Sequence, residues 1–228
     1  MQKKLDQATA PILKKAQAIP SDYEKVKTVY DEILNHTQYK DVAKNNQNIL
    51  SLFLGHKTVC AGYAKGMKYL LDKLGIECSV LMVHDREDED QGHVLNLVKM
   101  DGESYYIDAT YGDSQVEESF HDMRYEYFGF TSAEMLRIYE PEEAYVKSNA
   151  TKDSFFAKEK LILHSYDEAA ITKILARYIH DPNPCVSIKC ANGNVDVYKR
   201  QSVSTLRFPP RRRPCTSRLQ LPVSLGFL

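Results

Sequence analysis

The sequence predicts an α+β protein in which helices pack on an antiparallel β-sheet. Two helices, at 21–36 and 60–74, are marked by terminal signals and by apolar residues at helical spacing. The strands are marked by the turn signal Asp101-Gly102 between two segments of alternating polarity. The 228 residues are 43% hydrophobic and 27% charged, which is typical of a globular chain. This composition excludes a disordered chain, collagen and a simple coiled coil.

The amino-terminal region is predicted to be helical. Residues 3–19 form a helix interrupted by Pro11, since proline lacks the backbone N–H that the helix needs. The next helix begins at Ser21, which forms a capping box with Glu24, and ends near His36. Its apolar residues repeat at helical spacing. They are Tyr23, Val26, Val29, Tyr30, Ile33 and Leu34.

A polar connection at 37–57 leads to the second strong helix, which begins at Cys60 and ends at Leu74. Gly75 follows in a C-cap position. The apolar stripe of this helix includes Cys60, so the thiol lies on the core-facing side at the amino end. The stripe of this helix consists of Cys60, Ala64, Met67, Leu71 and Leu74. A largely buried strand over 76–83 follows the helix.

The predicted hairpin determines which side chains share a face of the sheet. Its strands lie at 93–100 and 103–109, joined by a two-residue turn. In that register His93 and Asp108 are diagonal neighbours on one face, with Cβ atoms within about 8 Å of each other. The register therefore predicts a His–Asp hydrogen bond. A three-residue turn would shift the pairing by one residue and weaken this inference.

Helical signals return beyond the hairpin. Thr131 and Glu134 form a capping box that begins a helix to about Tyr139, which Pro141 stops. A last helix is predicted at 167–179.

Cys60, His93 and Asp108 together suit nucleophilic catalysis. A helix N-terminus favours a thiolate over a thiol. The imidazole of His93 would take the thiol proton and return it to a leaving amine, while Asp108 holds the correct tautomer. The backbone N–H of Cys60 and the side chain of Gln47 are candidate donors to the tetrahedral oxyanion.

Each of these residues also has a structural interpretation. Cys60 could be a small buried residue of the helix stripe, His93 could bond a backbone carbonyl, and Asp108 could cap a turn. Cysteines and histidines could also form a zinc site, although their spacing fits no standard zinc pattern. The side chains considered for it are Cys60, Cys78, His84 and His93.

Several motifs resemble those of bacterial transglutaminase-like proteins. VCAGYAKGMKYLLDKLGIECSVLMV and GHVLNLVKMDGESYYIDATYGD are similar to the C-x-G-Y-A helix, H-A-W-N strand and D-x-T strand of that family, in the same order. The segment at 125–139 is similar to a Y-D-Y-F segment that follows this core. The resemblance covers about residues 20–180. It implies a papain-like, transglutaminase-like fold with a Cys60, His93 and Asp108 triad.

The resemblance also suggests residues around the triad, and it includes departures. The candidates for oxyanion or substrate contacts are Gln47, Tyr63, Asn96 and Tyr111. Val94-Leu95 replace the usual Ala-Trp after the histidine, and Tyr111 stands where a tryptophan often follows the D-x-T motif. Because those aromatic residues normally wall the active site, the departures bear on substrate preference and on turnover.

The function implied is cysteine-dependent acyl transfer through a thioester, on peptide or glutamine amides. Transfer to water would make a peptidase, amidase or deamidase, and transfer to lysine would cross-link proteins. The alternative is an inactive transglutaminase-like binding module in a cell-surface or cell-division assembly, supported by Val94-Leu95. The chemistry requires no metal or organic cofactor, and the expected partner is a protein or peptide substrate. The compartment is cytoplasmic if Met1 is the true start, and extracellular or cell-surface if the amino terminus is truncated.

Charge is distributed unevenly along the chain. From Val197 onward there are seven basic residues and no acid, which leaves 23 basic against 31 acidic residues before it. We expect a helical extension at 1–20, a catalytic domain at 21–180 and a disordered basic tail at 181–228 that is non-native after about residue 194. The tail could bind nucleic acid but lacks interleaved aromatics, so no nucleic-acid partner is expected.

The acidic segment at 84–91 could bind calcium or a basic substrate, and a solvated charge run is the simpler interpretation. No stretch approaches 18 uncharged apolar residues, so no membrane span is predicted.

Overall fold

The computed structural model describes residues 1–42, 44–86, 88–113, 123–165, 167–178, 185–190 and 218–222. Contacts divide the chain into two compact units, Met1–Phe155 and Phe156–Leu228. The first unit therefore includes the predicted amino-terminal extension and ends before residue 180. No helix among the described residues is long and apolar enough to cross a membrane.

Three long helices build one layer of the first unit: α1 (Gln2–Gln17), α2 (Asp22–His36) and α3 (Cys60–Lys73). The prediction that Pro11 interrupts the first helix is wrong, since α1 runs through it. Pro11 lies on the exposed side of α1, and burial of the opposite face outweighs the one missing hydrogen bond. The start of α2 is confirmed, because the Ser21 hydroxyl accepts the backbone N–H of Glu24.

The second layer is a five-stranded antiparallel sheet. Its strands are β3 (Cys78–Asp85), β4 (Asp88–Met100), β5 (Glu103–Ile107), β6 (Phe128–Phe130) and β7 (Tyr139–Pro141). They lie in the order β6-β5-β4-β3-β7. The acidic segment at 84–91 is largely strand, because β3 and β4 both extend into it and pair at His84–Gly92 and, after a shift in register, at Asp85–Asp88. The hydrogen bonds of a strand pair join backbone groups, so charged side chains do not prevent them.

The hairpin between β4 and β5 has the predicted register. Met100 pairs with Glu103 and Asn96 pairs with Ile107. Asp101 and Gly102 have positive φ angles of 48° and 94°, as a two-residue turn of this kind requires. Because side chains alternate along a strand, this turn determines which residues of β4 and β5 share a face of the sheet.

Helix α3 packs on the sheet and joins the two layers in one core. Met67, Leu70 and Leu71 are completely buried along α3, and Val98 and Ile107 lie in the same cluster on the sheet. This packing confirms the predicted α+β class.

Short elements connect the long ones. The predicted polar connection contains the parallel pair β1 (Gln38–Tyr39) and β2 (Lys57–Thr58), with a π-helix, Ser51–Gly55, between them. After β5 come α4 (Ala109–Gly112), a 3₁₀ helix (Met123–Tyr127) and α5 (Ser132–Ile138). The capping box of Thr131 and Glu134 is confirmed, but α5 ends before Tyr139 because the next residues pair with β3.

The second unit contains a three-stranded sheet and a helix. Its strands are β8 (Ile162–Leu163), β9 (Cys185–Cys190) and β10 (Arg218–Pro222), and its helix is α7 (Glu168–Tyr178); α6 (Phe155–Lys158) begins at the boundary. The last predicted helix corresponds to α7. Strands β9 and β10 lie within the segment predicted to be disordered, and the rest of that segment is outside the described residues.

Candidate active site

Cys60 is the first residue of α3, in a half-buried position. The chain reaches it from β2 in an extended conformation, through Val59. A loop holds this approach, because the carbonyl of Asn46 accepts hydrogen bonds from the Val59 N–H at 3.1 Å and the Thr58 hydroxyl at 2.6 Å. The thiol is therefore held at a helix N-terminus by a fixed backbone.

Gly62, in the first turn of α3, allows this close approach. A Cβ atom at residue 62 would collide with the Thr58 hydroxyl and lie 3.1 Å from the carbonyl oxygen of Asn46. The glycine of the C-x-G-Y-A motif therefore has a packing reason in this chain.

The variant Gly62→Ala is expected to lose about 1–3 kcal/mol of unfolding free energy, because the loop must move away from α3. Gly55→Ala is the matched control, since a Cβ atom there meets nothing within 4 Å. Urea denaturation of the two variants measures the difference. Equal stability would show that the loop yields without cost.

His93 on β4 and Asp108 at the end of β5 form a buried pair. Nε2 of His93 lies 2.7 Å from Oδ2 of Asp108. The relative exposure is 8% for His93 and 0% for Asp108. The hydrogen bond expected from the hairpin register is therefore present.

Both carboxylate oxygens of Asp108 are used. Oδ1 accepts the backbone N–H groups of Thr110 and Tyr111 at 2.9 and 3.1 Å, which caps α4. Oδ2 accepts His93 and the hydroxyl of Tyr139, the latter at 2.6 Å. Asp108 is thus both the turn cap of the structural interpretation and the partner of His93. Four donors offset the cost of burying its charge.

The pair favours the charged forms of both side chains. Burial alone would lower the pKa of His93, but the charge and hydrogen bond of Asp108, with a hydrogen bond to Cys60, raise this pKa to about 10. Burial alone would raise the pKa of Asp108. The charge and hydrogen bond of His93, with the hydrogen bonds from the Tyr139 hydroxyl and the Tyr111 N–H, outweigh burial and lower this pKa. Because Nε2 is bound to Asp108, Nδ1 of His93 is the nitrogen available to the Cys60 sulfur.

Tyrosines enclose the imidazole. The ring of His93 stacks on Tyr139 with a centroid distance of 5.4 Å and an interplanar angle of 15°. Tyr111, a predicted site residue, lies 5.1 Å from His93 at 50°, and its hydroxyl donates to Oδ2 of Asp85 at 2.9 Å. Tyr127 stacks on Tyr111 at 5.4 Å. These rings exclude water from one side of the pair.

The sequence motifs do not indicate Tyr139 and Asp85 as residues of the site. Their positions depend on the pairing of β3 with β7, in which Asp85 lies opposite Tyr139. The resemblance to the family extends to Tyr139, but nothing in that segment singled it out.

Two of the residues predicted to contact the oxyanion or the substrate lie in the interior of the protein. Tyr63 is fully buried, and its hydroxyl donates to Asp113. Asn96 is also fully buried, and its amide donates to the carbonyl of Ala64 at 3.0 Å and to the sulfur of Cys78 at 3.4 Å. Neither side chain reaches a surface where a substrate could bind. Both instead tie α3 to neighbouring elements.

Gln47, the other oxyanion candidate, is exposed and follows Asn46 in the loop beside the start of α3. Its carbonyl accepts a hydrogen bond from Nζ of Lys65 at 3.2 Å. Its place next to the loop that holds Val59 suits the predicted role, which stays a prediction.

The buried Cys78 thiol has a raised pKa of about 12, because burial disfavours its charged form. Among the residues described, no group of three or more His, Cys, Asp or Glu side chains could hold a metal ion.

A thiol at the start of a core helix, beside a His–Asp pair on an antiparallel sheet, defines a transglutaminase-like class of protein. The transglutaminase-like domain family matches residues 2–147, and this chain belongs to that family. No curated protein matches the chain.

Three solved structures are similar to parts of the chain. One, described as "Crystal structure of a TGase", is 20% identical, with a TM-score of 0.41 over 51% of this chain and 33% of that one. A "Putative Cysteine Protease from Cytophaga hutchinsonii" is 21% identical, with a TM-score of 0.38 over 47% and 39%. A "putative protease from Parabacteroides distasonis" is 19% identical, with a TM-score of 0.35 over 46% and 24%. The chain thus spans well under half of each solved chain.

Proposed function

We propose that this protein is a cysteine-dependent acyl-transfer enzyme that acts on peptide or glutamine amides through a thioester. The observation that carries the proposal is the 2.7 Å hydrogen bond between His93 and the buried Asp108. Cys60, at the start of α3, is near enough to His93 to help raise its pKa. Cys60 is the proposed nucleophile, His93 the proton carrier and Asp108 the residue that orients it. The family and the fold support this class of chemistry.

In the first half of the reaction, the Cys60 thiolate attacks the amide carbonyl carbon and forms a C–S bond. The tetrahedral oxyanion is held by the backbone N–H of Cys60 and by Gln47. The imidazolium of His93 then donates its Nδ1 proton to the leaving nitrogen as the C–N bond breaks. Asp108 stabilises the imidazolium before this step and keeps the proton on Nε2 after it.

In the second half, neutral His93 takes a proton from water or from a primary amine. The activated nucleophile attacks the thioester carbon, and the C–S bond breaks to return the thiolate. Water yields a carboxylic acid, whereas an amine yields a new amide. The acceptor therefore decides between hydrolysis and cross-linking.

The test is product analysis by mass spectrometry. Glutamine-containing peptides are incubated with the protein, with and without a primary amine, beside Cys60→Ala. We expect acid or amine-conjugated products from the wild type alone. A wild type that converts none of the peptides would instead favour the inactive binding module.

The pH dependence of the rate follows from the His93 pair. Since the first step needs a protonated His93 whose pKa is raised from 6.5 to about 10, activity is expected to persist above pH 6.5 and to fall toward alkaline pH. Measurement of kcat/KM over about pH 5 to 10.5 checks this. Asp108→Asn should move the alkaline limb to lower pH. An alkaline limb centred near pH 6.5 in the wild type would contradict the expectation.

A further inference from the structure

We propose that Tyr139 is a positioning residue that holds Asp108 and His93 in their working orientation. This inference rests on the proposed function and assigns a role to a side chain outside the Cys60, His93 and Asp108 line. Tyr139 is the first residue of β7, the three-residue edge strand that follows α5.

Tyr139 contacts both members of the pair at once. Its hydroxyl donates to Oδ2 of Asp108 at 2.6 Å, and its ring stacks on the imidazole of His93. The same Oδ2 atom accepts Nε2 of His93 at 2.7 Å. The hydroxyl therefore restrains rotation of the carboxylate, while the ring restrains tilting of the imidazole. Both restraints act on the atoms whose alignment proton transfer requires.

The backbone of Tyr139 is itself fixed. Tyr139 pairs with Asp85 across β3 and β7. The guanidinium Nε of Arg86 donates to the carbonyl of Leu136 at 2.7 Å and to that of Tyr139 at 3.2 Å, and the Arg86 N–H donates to Ile138 at 3.0 Å. Arg86 thus joins the end of α5 to the start of β7. This anchoring lets a short edge strand position a catalytic pair.

The hydroxyl also favours the ionised form of Asp108. A hydrogen bond to a carboxylate stabilises its negative charge. The hydrogen bond from the Tyr139 hydroxyl therefore contributes to the lowered pKa of Asp108. The titratable groups facing this carboxylate are His93 from β4, Tyr139 from β7 and Tyr30 from α2. Cys60 from α3 faces His93. Loss of the Tyr139 hydroxyl should therefore make Asp108 protonate at higher pH.

The experiment compares Tyr139→Phe with Tyr106→Phe. Both variants delete a fully buried hydroxyl with a 2.6 Å hydrogen bond, but that of Tyr106 goes to the Val146 carbonyl. We expect kcat of Tyr139→Phe to fall about tenfold or more, with KM within about twofold. Its acid limb, the loss of rate at low pH as Asp108 becomes protonated, should move to higher pH. Tyr106→Phe should keep the wild-type kcat and acid limb.

Two kinetic results would overturn the inference. One is a Tyr139→Phe enzyme with the wild-type kcat and acid limb, and the other is an equal loss in Tyr106→Phe, which would mean general destabilisation. NMR of the His93 imidazole reports on the His93–Asp108 hydrogen bond in the absence of substrate. The imidazole signals should change in Tyr139→Phe and stay as in the wild type in Tyr106→Phe. If Cys60→Ala retained the wild-type activity while those signals still changed, the proposed function would fail and the positioning would stand. Unchanged signals would reject the positioning itself.

Discussion

Cys60→Ala is expected to lower amide turnover by about 10⁴-fold or more, because it removes the sulfur on which the proposed thioester forms. Cys60 is half-buried at the first position of α3, and its backbone donors do not depend on its side chain. Alanine also favours a helix, so the fold should be retained. Any loss of rate is therefore a loss of the nucleophile.

The matched control is Cys78→Ala, which removes the buried thiol on β3. That variant should lose stability through a small cavity and keep its turnover. Acid quenching followed by mass spectrometry should trap an acyl adduct on the wild type and on Cys78→Ala, at Cys60. An adduct elsewhere, or full activity in Cys60→Ala, would remove Cys60 from the mechanism.

Asp108→Asn is expected to lower kcat by about 10³- to 10⁴-fold and to cost about 3 kcal/mol of unfolding free energy. The asparagine oxygen can still cap α4 through the Thr110 and Tyr111 N–H groups. Its NH₂ group, however, would face the protonated Nε2 of His93, so that one donor would meet another, and the Tyr139 hydroxyl would have to turn and accept. The imidazole would lose both its orientation and its stabilised charge.

The stability cost of Asp108→Asn should itself depend on pH. Because the pKa of Asp108 is lowered in the folded protein, this carboxylate adds to the free energy of unfolding at pH values above its ordinary pKa of 3.8. The contribution is lost as the pH falls below that value. Because the pKa of His93 is raised to about 10, its imidazolium adds to the free energy of unfolding in full at pH values below its ordinary pKa of 6.5. This contribution is lost as the pH rises toward about 10. The difference between wild type and variant should therefore be largest between these ordinary values and shrink on either side.

Urea denaturation across that pH range measures the effect, and Asp153→Asn is the control. Asp153 is a buried carboxylate that accepts the hydroxyl of Tyr105, away from His93. Its variant should keep the wild-type kcat. A stability difference for Asp108→Asn that did not change with pH would contradict the charged pair.

Local signals predicted much of the frame of the site. The Ser21 cap, the helix from Cys60 and the two-residue turn at Asp101-Gly102 all occur as expected. Each depends on residues adjacent in sequence, whose hydrogen bonding and φ angles are determined within one turn. The alternation of side chains across a strand then carried the prediction as far as the His93–Asp108 bond.

Predictions that needed knowledge of burial were less successful. Tyr63 and Asn96 belong to the recognised motifs, yet α3 and the sheet enclose both side chains. A motif shows which residue types recur together, but not which of them face solvent. The predicted interruption at Pro11 likewise considers only its missing N–H, whereas the buried face of α1 decides the outcome.

The sequence by itself determined the helix that carries the thiol, the hairpin register and the order of the three candidate residues, because these follow from short-range geometry. Only the tertiary structure decided what surrounds the His93–Asp108 pair. Tyr139, Asp85 and Arg86 meet there through the pairing of β3 with β7, strands separated by more than fifty residues. Such a contact is selected by the packing of the whole first unit, and no local pattern along the chain encodes it.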